Sequence, residues 1–157
     1  KIASGAKVGP YAHLRPHSQV GSKAKIGNFV ELKNSSIGAE TSVAHLSYVG
    51  DAEIGARVNI GCGFVTCNFD GRVINGSRKH KTIVEDDAFI GSDCQTVAPV
   101  KIGRGAYVAS GSTITQDVEA GALGIARSRQ TNKPGYASKL KSMSESNGRS
   151  SGKETQK

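Results

Sequence analysis

Tryptophan is missing from this 157-residue chain, Phe and Tyr supply only 5% of it, and there is a single Met. A core built on large rings is therefore excluded, and something repetitive with small side chains fits better. No apolar run approaches the ~20 residues of a membrane span. No charged, apolar and small-residue order at the start resembles a signal peptide. A soluble, cytoplasmic protein with no membrane partner is expected. Cys62, Cys67 and Cys94 are odd in number and lack CxxC spacing, which argues against a disulfide framework and against a structural zinc site. They read as reduced thiols.

The length suits one domain with a real core and is short for two. The formal net charge of +8 points to nucleic acid until it is located. Residues 127–157 hold eight Lys or Arg against two acids, whereas residues 1–126 hold thirteen against eleven. The basic excess sits in the tail and not on a folded face, so no nucleic-acid partner is expected.

What the chain does have is a period of six. Apolar residues fall at Ile2, Val8, Leu14, Val20, Ile26 and Leu32, and several are followed by Gly. The period returns at Ile37, Val43 and Val49, at Ile54 and Ile60, and at Val84, Ile90, Thr96, Ile102, Val108 and Ile114. Six is neither a helix nor a plain strand period. It is the period of a parallel β-helix, in which each short strand points one aliphatic inward and the chain then turns a corner. Three faces would make a coil of about eighteen residues, stacked at the ~4.8 Å spacing of neighbouring strands.

Departures from the period are informative. Steps of five occur at Leu32 to Ile37 and at Val49 to Ile54, on either side of a segment that holds His45 and Tyr48. Between Thr66 and Val84 the pattern gives way to CNFDGRVINGSRKHKT, too polar for a core, which predicts a projecting loop at 67–82. The β-helix is expected over 1–126. An extension follows at 127–137, and a polar, disordered tail at 138–157.

The stretches GPYAHLRP, GNFVELKNSSIG, HLSYVGDAEIGARVNIGCG, TCNFDG, KHKT, GSDCQTVAPVKIG and GALGIARSRQ carry a resemblance. In order and spacing they resemble the C-terminal acetyltransferase domain of the bifunctional N-acetylglucosamine-1-phosphate uridyltransferase/glucosamine-1-phosphate N-acetyltransferase family. The likeness covers roughly residues 8 to 136. It implies an all-β, left-handed parallel β-helix, an exception to the usual crossover hand. It also implies a homotrimer with active sites between subunits. The family's N-terminal uridyltransferase domain has no counterpart in this sequence, which reads as an excised domain or fragment.

The activity implied is transfer of acetyl from acetyl-CoA to the amine of glucosamine 1-phosphate, on the route to UDP-N-acetylglucosamine. By resemblance His45 is the base that takes the amine's proton, a task that suits an imidazole near neutrality, and Glu31 is a candidate to orient it. Arg15 in LRP and Lys33 in ELKN match the phosphate-binding positions, and Tyr48 and Asn59 match residues that contact the sugar. Asn59 could instead stack inside the coil. Cys62, Asn68, Phe69, Lys79, Ser92, Ser110 and Arg127 occupy positions for acetyl-CoA, with Arg127 near its phosphates. Ser92 or a nearby backbone N–H is a candidate for the thioester oxyanion. Three features depart from the family. Phe69 stands where Tyr is usual, Cys62 and Ser110 stand where Ala is common, and the loop is several residues longer. No metal is expected.

Three other readings compete. A hexapeptide acyltransferase with another amino-sugar acceptor would have no need of the Arg15 and Lys33 pair. A zinc hydratase on the same fold would need ligands at coil-related spacings, which His13, His17, His45 and His80 lack. A non-catalytic β-solenoid would leave His45, Tyr48 and the basic loop without purpose.

Overall fold

The computed structural model describes residues 1–74 and 76–150. Each six-residue unit gives one short strand, and the strands stack as three parallel sheets. The first face holds Gln19–Val20, Ser36–Ile37, Ala52–Ile54, Thr82–Val84 and Val100–Ile102. The second holds Lys7–Val8, Lys25–Asn28, Ser42–His45, Asn59–Ile60, Phe89–Ile90, Tyr107–Val108 and Leu123–Gly124. The third holds His13–Leu14, Glu31–Lys33, Tyr48–Gly50, Val65–Cys67, Gln95–Val97 and Thr113–Ile114. The chain visits the three faces in that order, coil after coil. This is the expected parallel β-helix.

The register stacks the repeat on itself. Ile26 lies opposite Val43, Val43 opposite Ile60, Ile60 opposite Ile90 and Ile90 opposite Val108. Ile37, Ile54, Val84 and Ile102 form the same column on the first face. These side chains are buried, and burying each contributes roughly 1.5–3 kcal/mol. Two inward positions on the third face are Thr66 and Thr96, both buried. Their hydroxyls are satisfied: Thr66 Oγ1 accepts from Gly50 N–H at 2.7 Å, and Thr96 Oγ1 shares a 3.2 Å bond with Thr82 Oγ1. A buried hydroxyl with partners costs little, so the column tolerates Thr.

The two steps of five have a definite location. Both fall where the third face turns into the first, and there a single residue, Asn34 in one coil and Asp51 in the next, makes the corner at φ 49°. Asn and Asp tolerate this left-handed region better than most side chains. The His45 corner, between the second and third faces, keeps the regular step. The shortening therefore lies beyond Tyr48, not at the histidine.

The departure between Thr66 and Val84 is a loop, as expected. It leaves the third face after Val65–Cys67 and returns at Thr82–Val84, closed at its root by a bond from His80 N–H to Asn68 C=O at 3.0 Å. Near its tip Ile74 and Ser77 exchange two backbone hydrogen bonds of 2.9 and 3.0 Å.

The coil stack forms one compact unit, Lys1–Arg127, and a second unit begins at Ser128. Within the second, Tyr136–Ser150 is an α-helix. It takes up most of the stretch whose composition predicts a polar disordered tail, and residues 151–157 lie outside the described residues. Lys, Leu, Met, Ala and Glu supply helix propensity, yet every described side chain of this helix is exposed. Its apolar residues Tyr136, Leu140 and Met143 are themselves among the exposed ones. No described helix is long and apolar enough to cross a membrane.

Candidate active site

His45 ends the strand Ser42–His45 and is exposed at the turn from the second face to the third. The register places positions 62, 92 and 110 above it, one per coil. Cys62, Ser92 and Ser110 are all exposed along this edge. The next residue in each coil makes the corner itself, and here the edge changes character. Tyr11, Phe29 and Leu46 occupy it in the first three coils, all exposed and all at positive φ, and the Tyr11 and Phe29 rings stack at 5.3 Å. Gly63, Asp93 and Gly111 occupy it in the next three. Left-handed backbone at a bulky residue costs roughly 1–3 kcal/mol. The edge is thus a bulky apolar ridge up to Leu46 and a low, small-residue track beyond His45. Arg127 lies beside the far end of the track, where a Cβ on Gly111 would sit 3.7 Å from its Cδ.

The third face beside His45 carries the other candidates in two columns. Glu31 and Tyr48 are register neighbours, with His13 below Glu31. Lys33 lies in line with Gly50 in the second column. Arg15 Nη1 donates to Glu31 Oε1 at 3.0 Å, so Glu31 serves the arginine in this structure. This pair is exposed and worth little to stability, but it fixes the guanidinium. Tyr48 folds its ring back over Gly50, where a Cβ would lie 2.4 Å from the Tyr48 Oη. Only glycine leaves room for the ring in that position.

Lys33 Nζ donates to Asp51 Oδ2 at 2.9 Å, and Asn34 Nδ2 donates to Asp51 Oδ1 at 2.8 Å. The Asn68 amide donates to Asp51 Oδ2 as well. Asp51 is only 7% exposed. Burial pushes its carboxyl pKa up, but the hydrogen bonds from Asn34, Lys33 and Asn68 outweigh this and hold it below the ordinary value. Asn68 is itself buried, with its amide nitrogen 3.5 Å from Tyr48 Oη. It anchors the loop, while its neighbour Phe69 stands exposed with the Lys79 ammonium 4.2 Å over its ring. Behind them Asp70 is held by Arg72, first through the side chain at 2.6 Å and then through the backbone at 3.0 Å, which lowers its carboxyl to about 2. His80 Nε2, buried, comes within 3.3 Å of Asp70 Oδ1 but is too poorly aligned for a hydrogen bond.

Most of the expected residues therefore gather at one edge of the solenoid. His45, Cys62, Ser92, Ser110 and Arg127 follow the corner, and Arg15, Glu31, Lys33 and Tyr48 share the adjoining face. Asn59 stands apart, exposed on the second face between Ser42 and Phe89 in register, and not inside the coil. Asp51, Asn34 and Gly50 were missed. Asp51 lies inside the HLSYVGD stretch, but a Gly-Asp pair at a shortened step reads as a turn, and nothing in the spacing shows that its carboxylate points inward. The described residues gather no group of three or more His, Cys, Asp or Glu able to hold a metal ion. The hollows lined by His17, Asn34 and Lys81 and by Ile114, Asp117 and Ile125 lie away from His45.

The six-residue units that build this edge also have counterparts among known proteins. The family model described as bacterial transferase hexapeptide (six repeats) matches residues 81–116. The chain is similar to bifunctional GlmU proteins. It is 61% identical to that of Brevibacillus brevis over 140 residues, which are 89% of this chain and 29% of the relative. It is 56% identical to that of Caldicellulosiruptor saccharolyticus over 145 residues, 92% of this chain and 30% of the relative. The chain thus spans about three tenths of the length of these relatives. Among solved structures, PerB from Caulobacter crescentus in complex with CoA and GDP-perosamine aligns with a TM-score of 0.66 at 20% identity, over 77% of this chain and 54% of that one. A mutant of AntD, an N-acyltransferase from Bacillus cereus bound to dTDP-4-amino-4,6-dideoxyglucose and coenzyme A, aligns at 0.68 and 18%, over 92% and 90%. At such identities these two speak for the fold alone.

Proposed function

We propose that the chain is a glucosamine-1-phosphate N-acetyltransferase that uses acetyl-CoA as donor. The observation that carries this reading is the edge itself. An exposed imidazole stands where a ridge of bulky residues gives way to a track of small ones, with two cations on the adjoining face. The track suits the long arm of a coenzyme laid along the solenoid toward Arg127, and Ser92 or Ser110 can donate to it. Lys33 and Arg15 suit a sugar phosphate, as a point charge and a planar fork respectively. Likeness to part of the bifunctional GlmU proteins supports the same assignment.

In this reading the acceptor's neutral amine attacks the thioester carbonyl and forms a C–N bond. His45 takes the proton that the nitrogen sheds, and the intermediate collapses by breaking the C–S bond. The coenzyme leaves as a thiolate and receives that proton. Cys62 takes no part as a nucleophile in this reading, because the acceptor's amine attacks the thioester directly with His45 as its base.

A single solenoid offers a convex edge, whereas a coenzyme needs walls on more than one side. The position of Asn59 on a different face from Tyr48 fits a site shared between copies, and we assign the working unit as a homotrimer. The test is acetyl transfer to glucosamine 1-phosphate, followed as thiol release, alongside glucosamine without the phosphate. Equal rates on both acceptors would favour a different amino-sugar substrate. Mixed trimers of inactive His45→Ala and inactive Arg127→Ala chains should regain part of the activity. Mixed trimers that form by mass yet stay inactive would place each complete site within one chain.

A further inference from the structure

Two residues assigned to different ligands meet at one atom. Lys33 Nζ, expected on the acceptor's phosphate, and Asn68 Nδ2, at the root of the coenzyme loop, both donate to Asp51 Oδ2. We propose that Asp51 is a positioning residue that couples the acceptor site to the coenzyme loop, by holding Lys33 and Asn68 on one carboxylate oxygen. The inference rests on the functional reading above and goes beyond it.

The corner gives a reason to read more than a turn here. Backbone at φ 49° would be served by Asn or Gly, and the equivalent corner one coil below is Asn34, which is exposed. Asp51 instead brings a carboxylate to 7% exposure. A buried carboxylate is tolerable only with its partners in place, and removing one leaves an uncompensated charge. Its main chain joins the same elements: Asp51 N–H donates to Lys33 C=O at 2.8 Å, and its C=O accepts from Thr82 N–H at 3.3 Å. Asp51 therefore touches the loop where it leaves, through Asn68, and where it returns, through Thr82. Asn68 also approaches Tyr48 Oη at 3.5 Å, which brings the expected sugar contact into the same group.

The consequence is reciprocal. A phosphate that draws on Lys33 changes what Asp51 offers Asn68, and a coenzyme that orders the loop changes what Asp51 offers Lys33. Coupling of this kind must act equally in both directions. Lys33→Met removes the ammonium and leaves Oδ2 with Asn68 alone, so it should weaken coenzyme A binding although Lys33 is not assigned to the coenzyme.

The experiment measures dissociation constants for coenzyme A and for glucosamine 1-phosphate by calorimetry, on the full chain, with melting curves to check the fold. Lys33→Met should raise the coenzyme A Kd about tenfold, the scale of one hydrogen bond to a charged group. Adding Asp51→Asn, which has the same shape and tolerates the same φ, should bring it back to within about threefold of the parent while acceptor binding stays weak. Lys33→Arg, which keeps the charge, should preserve coenzyme affinity. From the other side, Asn68→Ala should raise the glucosamine 1-phosphate Kd about threefold or more, and this arm stands even if Lys33→Met does not fold. An unchanged coenzyme Kd in Lys33→Met, no recovery in the double variant, or an unchanged acceptor Kd in Asn68→Ala would overturn the proposal while leaving the activity assigned above intact. A parent chain that transfers no acetyl to glucosamine 1-phosphate would overturn that assignment, and this coupling with it.

Discussion

Replacing Gly50 by Ala should separate stability from catalysis at this site. The added Cβ would lie 2.4 Å from Oη, 2.6 Å from Cζ and 2.7 Å from Cε1 of Tyr48. Gly50 is not at positive φ, so Ala meets no left-handed backbone penalty, and the three nearest atoms all belong to one ring. That ring is half-buried, and pushing its side chain off its rotamer costs about 0.5–1.5 kcal/mol. Loss of glycine's freedom in the unfolded chain offsets roughly 0.4–1 kcal/mol of it. The net change in stability should stay near 1 kcal/mol or below, a fall of about 4 °C or less in melting temperature. Catalysis is less forgiving, since misplacing a substrate-positioning group by about 1 Å can cost 10²-fold. We expect kcat/KM for glucosamine 1-phosphate to fall about 10²-fold. Tyr48→Ala removes the clash, so adding Gly50→Ala to it should cost nothing further. Unchanged kcat/KM in Gly50→Ala, or a further loss in the double variant, would refute the assignment of Tyr48's folded-back position to acceptor binding.

Three other outcomes are expected. His45→Ala should lower turnover by about 10²-fold or more, with little change in melting temperature because the side chain is exposed; near-normal turnover would remove it as the base. Cys62→Ala should keep most activity, and a stable acetylated Cys62 found by mass spectrometry on the path to product would reverse that judgement. Asp51 should shape the acid limb of stability. Burial raises its carboxyl pKa and the Asn34, Lys33 and Asn68 hydrogen bonds more than reverse this, so its native pKa lies below the unfolded one. Its contribution is then complete above about pH 3.9 and is lost as pH falls through the lower native value. The melting-temperature gap between the parent and Asp51→Asn should therefore close as pH falls below about 4, and a gap independent of pH would contradict the assignment.

The fold was legible because a β-helix writes its geometry into the chain one unit at a time. Ile26, Val43, Ile60, Ile90 and Val108 form one column, and their spacing is visible without coordinates. The loop was legible for the opposite reason, since residues 67–82 offer the column nothing to bury. The helix Tyr136–Ser150 was not, because Tyr136, Leu140 and Met143 are too few among its Ser, Lys, Asn and Glu to set it apart from a disordered polar segment.

The site divides along the same line. Cys62, Ser92 and Ser110, expected at the site by resemblance, stand above His45 at the positions that the stacking register gives them. Residues whose role depends on where a side chain turns cannot be placed by counting along the repeat. Glu31 shows this, since its carboxylate meets Arg15 from the coil below and not His45. Asp51 shows it more sharply. The sequence records the shortened step at Val49 to Ile54, and a shortened step requires only a residue that accepts positive φ. The step does more than save one residue. With a single residue at the corner, as with Asn34 one coil below, the first and third faces come together tightly, and an acid at that place turns its carboxylate inward to Lys33 and Asn68. An asparagine would turn the chain equally well, so only the contacts of the carboxylate explain the charge, and those contacts join residues seventeen and eighteen positions apart.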